Sequence, residues 1–95
     1  MEINEDDKKI FMFKIIDDML KGEIPTATDF IGADCMTGHE YAELIYEMQE
    51  KKSYISGYVF TKDGKGHPTI AFTNKSEMEV TVLGRKFHED FVKKL

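Results

Sequence analysis

An α+β fold, with a helical core and one small antiparallel hairpin, is predicted by three observations. Apolar side chains recur at helical spacing within residues 11–20 and again within 41–48, and a period near 3.6 marks a buried helix face. From Tyr54 to Phe60 the period changes to two, ahead of the turn-forming stretch KDGKGHP, which is the pattern of a strand entering a hairpin. A last helical stripe of Leu83, Phe87, Phe91 and Leu95 follows. Helices segregated beside a small antiparallel sheet define the α+β class. The 95 residues are expected to form one domain, 1–95, with a single core.

Each element has its own signals. Asn4 is placed to cap a first helix whose third residue is Asp7, and acidic side chains suit the positive end of the helix dipole. Phe11, Met12, Phe13, Ile15, Ile16, Met19 and Leu20 fall on one side of it, over an arc of about 200°, wider than the ~100° stripe of a surface helix. That breadth suits a helix central to the core, or one that also meets a partner. Gly22 is expected to end the helix as a left-handed cap, and Pro25 prevents its continuation. A short strand near Glu23–Pro25 can then join the edge of the hairpin. Thr26 with Asp29 opens a short second helix carrying Phe30 and Ile31.

Thr37 and Glu40 form a capping box that opens the third helix, to about Lys52. Its core face is Tyr41, Ala42, Leu44, Ile45 and Met48. Asp63-Gly64 marks the hairpin turn, where positive φ is needed, and Thr69–Thr73 is the returning strand. Glu79–Thr81 can add a little pairing. Thr81 caps the last helix, in which Gly84 permits a close backbone approach. Helix, short helix, helix, hairpin, helix is the outline of a winged helix-turn-helix, with the hairpin as its wing.

Three stretches resemble the YjcQ-like family of small winged-helix proteins from Gram-positive bacteria and their prophages: IIDDMLKGEIPTATDFIG, LIYEMQEKKSYISG and TVLGRKFHEDF. With their spacing they cover about residues 10–92. One departure is Ser53, where such proteins often carry Gly before the Tyr-Ile of the wing, so Ser must accept an unusual helix exit. The resemblance implies the fold and a role in nucleic-acid regulation. It supplies no catalytic residues.

Charge complicates that role. The net charge is −5, but residues 1–50 carry 13 acidic and 4 basic side chains, against 5 acidic and 9 basic in residues 51–95. Such asymmetry accompanies anion contact, head-to-tail association into a homodimer, or simply a solvated surface. The third helix, the usual reading helix, turns Glu40, Glu43, Glu47 and Glu50 outward within about 80° of arc. A carboxylate ~7 Å from a phosphate in water costs about 0.6 kcal/mol before screening. Four of them, with no Arg or Lys in the arc, oppose insertion into a groove. The basic candidates for a duplex contact lie elsewhere, at Lys51, Lys52, Lys62, Lys65 and His67. The alternative is a protein-interaction module with no DNA binding, in which His39, Glu40, Glu43, Tyr46, Glu47 and Glu50 dock on a basic partner.

Enzymatic chemistry is not expected. Cys35 and His39 are four apart, but a cap residue lies between them and no third group orients the histidine. A zinc site would need two more ligands, and His67 and His88 are isolated. His88 suits a packed structural position. GKGH lacks the Gly-Lys-Ser/Thr ending of a phosphate loop. No cofactor or metal is therefore predicted. A single cysteine, no apolar run of ~20 residues and no signal-peptide pattern in Met1–Asp7 point to a cytoplasmic, membrane-free protein.

Overall fold

The computed structural model describes residues 5–25 and 38–94. Helix α1 (Glu5–Leu20) begins with Glu5, Asp6 and Asp7 in its first turn. It ends as expected: Gly22 sits at φ +81, Glu23 N–H donates to the Asp18 carbonyl at 2.9 Å and Gly22 N–H to Met19 at 3.0 Å. Those two bonds satisfy carbonyls that the last turn leaves open. Residues 23–25 form no strand, so the expected edge strand is replaced by extended chain whose Pro25 carbonyl accepts from the buried Tyr41 hydroxyl at 3.2 Å. The expected Asn4 cap, the short helix from Thr26 and Thr37 of the capping box lie outside the described residues.

The acidic helix expected third is α2 (Gly38–Tyr46), continued by a more loosely wound π-helical turn, Glu47–Lys51. Lys52 N–H reaches back five residues to the Glu47 carbonyl at 2.9 Å. Ser53 then takes φ +56, the left-handed exit for which glycine would be the unstrained residue. Tyr41, Ala42, Leu44, Ile45 and Met48 are all buried. With Met12, Ile15 and Ile16 of α1 they form the centre of the core.

The alternating stretch from Tyr54 is not one strand. Gly57, at φ +110, divides it into β1 (Ile55–Ser56) and β2 (Tyr58–Lys62). β1 pairs antiparallel with β4 (Glu79–Val80), and β2 pairs antiparallel with β3 (Pro68–Thr73) as the hairpin. A β-carbon on Gly57 would meet the Met78 backbone, its Cα at 2.7 Å, which explains both the glycine and the break. A short 3-10 turn, Lys75–Glu77, leads into β4.

Helix α3 (Val82–Lys93) is capped by Thr81, whose hydroxyl accepts from Gly84 N–H at 3.1 Å. Gly84 lies against the Tyr54 carbonyl, the close approach that its position suggested. Leu83 does not join the core: it is 54% exposed, because Gly84 is the residue that faces Tyr54 and Val80. Further along, Phe87 and Phe91 turn inward. Phe91 stacks on Phe13 of α1, ring centres 4.6 Å apart, and Phe13 also stacks on His88 at 4.7 Å. His88 is the packed structural residue expected, its Nε2 3.1 Å from Asp17 Oδ1. The wide apolar arc of α1 thus serves two neighbours, α2 on one side and α3 on the other. No helix among the described residues is long and apolar enough to cross a membrane.

Candidate functional site

The hairpin and α2 bring most of the sequence candidates onto one surface. Gln49 fixes the root of the hairpin, its side-chain amide donating to the Tyr58 carbonyl and its oxygen accepting from Tyr58 N–H, both at 2.9 Å. Tyr46, expected at the edge of an exposed ridge, packs its ring edge-on against Phe60 at 5.2 Å. It anchors the hairpin on α2 instead. Across the ladder the Thr61 and Thr69 hydroxyls lie 2.8 Å apart.

The tip is ordered by Asp63. Its Oδ1 accepts from the backbone N–H of Lys65 at 2.8 Å and of His67 at 3.0 Å. These two bonds, that of His67 first, hold the carboxyl below its ordinary pKa, since they are made to the charged form. The left-handed residue of the turn is Gly66, φ +85, not Gly64. The loop is longer than the two-residue turn that Asp63-Gly64 suggests, and Asp63 N–H bonds the His67 carbonyl across it at 2.9 Å.

This tip sits beside the start of α2. His67 Nδ1 lies 3.4 Å from Glu43 Oε1, and the His39 and His67 rings meet edge-on at 6.4 Å. A shallow hollow of about 470 Å³ lies between His39, Glu43, Asp63, Gly64, Lys65 and His67. Residues from both candidate sets therefore share one patch. Lys51 and Lys52 do not join it: they follow the Gln49 clamp at the hairpin's root, whereas Lys62 and Lys65 lie at its tip. Five residues of strand separate root from tip, roughly 13 Å at ~3.3 Å per residue.

The four glutamates do not form one free ridge. Glu47 is 23% exposed and takes Lys8 Nζ of α1 at 3.0 Å, a bond that leads the rise in the Lys8 pKa. Glu43 has His67, Glu40 is half-buried, and Glu50 is exposed. Neither pairing is visible from helical spacing, because Lys8 and His67 come from distant segments. Lys51, Lys52, Lys62 and Lys65 are exposed. Among the described residues none of these four is in an ion pair. No group of three His, Cys, Asp or Glu side chains among the described residues could hold a metal, and Cys35 lies outside them.

Comparison with known proteins identifies no relative: no family model, curated protein or solved structure matches the chain.

Proposed function

We propose that the chain is a small winged-helix regulatory protein of phage or prophage type, which contacts duplex DNA mainly through its hairpin wing. The observation that carries this reading is the distribution of compensated and uncompensated charge on the α2–hairpin surface. Of the glutamates there, Glu47 is ion-paired with Lys8, and the Glu43 carboxylate lies 3.4 Å from the His67 ring nitrogen. Lys51, Lys52, Lys62 and Lys65 have none among the described residues and stand in solvent. Such lysines can displace the counterions of a phosphate backbone, the sequence-independent source of DNA affinity. The strand between the root and tip of the hairpin, roughly 13 Å long, is short against one ~34 Å turn of duplex. The Lys8 ion pair at Glu47 reduces the repulsion that a bare α2 would offer. The hairpin lying on α2, with α3 behind it, supports the winged-helix reading, and the family resemblance of the sequence agrees with it.

Fluorescence anisotropy on random-sequence duplex DNA, at about 50 and 200 mM salt, tests this. Four phosphate contacts give a slope of log K against log salt near −3.6. The double variant Lys62→Glu with Lys65→Glu should weaken binding and roughly halve the slope, while its melting temperature stays near that of the parent. Unchanged affinity and slope would remove the wing from the mechanism. Absence of binding even at low salt would favour the other use of this surface, capture of a basic protein through Glu43 and Glu50.

A further inference from the structure

A second surface, sharing no residue with the hairpin patch, lies where α3 meets α1. An open groove of about 330 Å³ is lined by Lys9, Tyr54, Leu83, Lys86, Phe87, Asp90, Phe91 and Lys94. Its floor is an aromatic ladder. Tyr54 stacks on Phe87 at 5.0 Å, Phe87 lies 6.1 Å from Phe91, and Phe91 stacks on Phe13. Leu83, 54% exposed, stands at one end beside Val82, which is 82% exposed. On α3 the apolar stripe Leu83, Phe87, Phe91 runs next to a polar stripe Lys86, Asp90, Lys94, each with a spacing of four. The two stripes are about 12 Å long at ~1.5 Å per residue, a length equal to about two turns of a partner helix.

We infer that this groove binds an acidic amphipathic helix from a partner protein. The charge of the rim selects the partner. Lys9, Lys86 and Lys94 face a single Asp90, and none of the four is in an ion pair among the described residues. This local excess of positive charge occurs on a chain of net charge −5. Apolar residues of the incoming helix at i, i+3, i+4 and i+7 would cover Leu83 and the ladder, with flanking carboxylates on the lysines, as in helix-in-groove recognition. A nucleobase is a poorer occupant. The rings are stacked on one another, so they offer few free faces for base stacking, and the most exposed apolar groups are aliphatic.

The test is an NMR titration of the isotope-labelled chain with two synthetic peptides of about four helical turns. Both carry Leu at the i, i+3, i+4, i+7 positions; one has Glu elsewhere and its twin has Lys. The acidic peptide should shift the amides of Leu83, Lys86, Phe87 and Lys94, and the basic twin should not. Leu83→Ser should weaken binding at least tenfold. Lys86→Glu with Lys94→Glu should reverse the preference between the twins. All three positions are exposed, so these variants keep the fold, which a thermal melt checks. Equal binding of both twins, or no groove shifts at millimolar acidic peptide, would overturn the inference. So would a parent chain that is already a dimer and that Leu83→Ser converts to monomer, since the occupant would then be a second copy. Preferential displacement of the same amides by a single-stranded oligonucleotide would likewise replace the peptide with a nucleic acid.

Discussion

Residues 53–57 and 58–62 adjoin in sequence and share one alternating pattern, yet they are held in different ways. Before and at Gly57 the chain is held by backbone and hydroxyl hydrogen bonds and by close backbone approaches from residues 77–84. Thr81 N–H donates to the Tyr54 carbonyl at 2.9 Å, the Thr81 hydroxyl donates to Ser53, and the Ser56 hydroxyl donates to Glu77 at 3.1 Å. Gly84 and Gly57 close the remaining space. Beyond Gly57 the chain has one partner strand, its register shifts between Val59 and Phe60, and Val59, Thr61 and Lys62 face outward. Side chains in the first segment are dictated by packing. In the second, Tyr58 and Phe60 pack inward, whereas the outward side chains, Lys62 among them, are free to be chosen for what they contact.

The comparison breaks most sharply at Gly84. A methyl group there would strike the Tyr54 carbonyl and the Val80 side chain, and a carbonyl already bonded to Thr81 cannot retreat. Gly84→Ala should therefore cost about 3 kcal/mol, at the upper end of overpacking effects, read from urea unfolding. The hairpin pair Lys62→Glu with Lys65→Glu should change stability by less than ~0.5 kcal/mol in the same assay. If the two variants unfold alike, the division at Gly57 has no energetic meaning.

A smaller effect is expected where α3 is tied to α1. Asp17 accepts from Lys21 at 2.8 Å and lies 3.1 Å from His88, and these hydrogen bonds, Lys21 first, lower its pKa below the ordinary 3.8. A depressed carboxyl stabilises the fold fully above the unfolded value of 3.8 and loses that contribution as pH falls through the lower folded value. Asp17→Asn should cost about 1 kcal/mol at neutral pH, the upper range for partly exposed pairs. The gap between parent and variant melting temperatures should close in acid below the unfolded pKa. A gap that stays constant across that window would mean that Asp17 acts by shape and not by charge.

What the sequence could reveal follows from the range of each interaction. Local signals sufficed for the Gly22 cap, the Thr81 cap and the buried face of α2, because each depends on neighbours within a few residues. The break at Gly57 depends on Met78, and the exposure of Leu83 depends on Tyr54 meeting Gly84. Neither contact leaves a periodic trace, so one strand was expected where two occur. The candidate site was legible as a set of residue types but not as an arrangement. Helical spacing aligns four glutamates; it cannot show that Lys8 and His67 reach two of them, or that Tyr46 turns to Phe60. Asp63-Gly64 marked the turn correctly and its left-handed residue wrongly, because the Asp63 carboxylate organises a longer loop.

The smallest expected effect on the fold lies at the root of the hairpin, where the two regions meet. Tyr58 is 6% exposed, and its hydroxyl has no hydrogen-bond partner of normal geometry among the described residues. Burial raises its pKa, with the neighbouring Tyr41 hydroxyl drawing it partly back. A buried hydroxyl left unsatisfied costs its desolvation, whereas a phenyl ring of the same shape does not. Tyr58→Phe should therefore stabilise the chain by about 0.5 kcal/mol, the gain being limited by the weak Tyr41 interaction. Because Gln49 grips only the backbone of Tyr58, the hairpin should keep its place on α2. A loss of stability would mean that the hydroxyl has a strong partner, and that the root of the hairpin is held by side-chain polarity as well as by the Gln49 clamp.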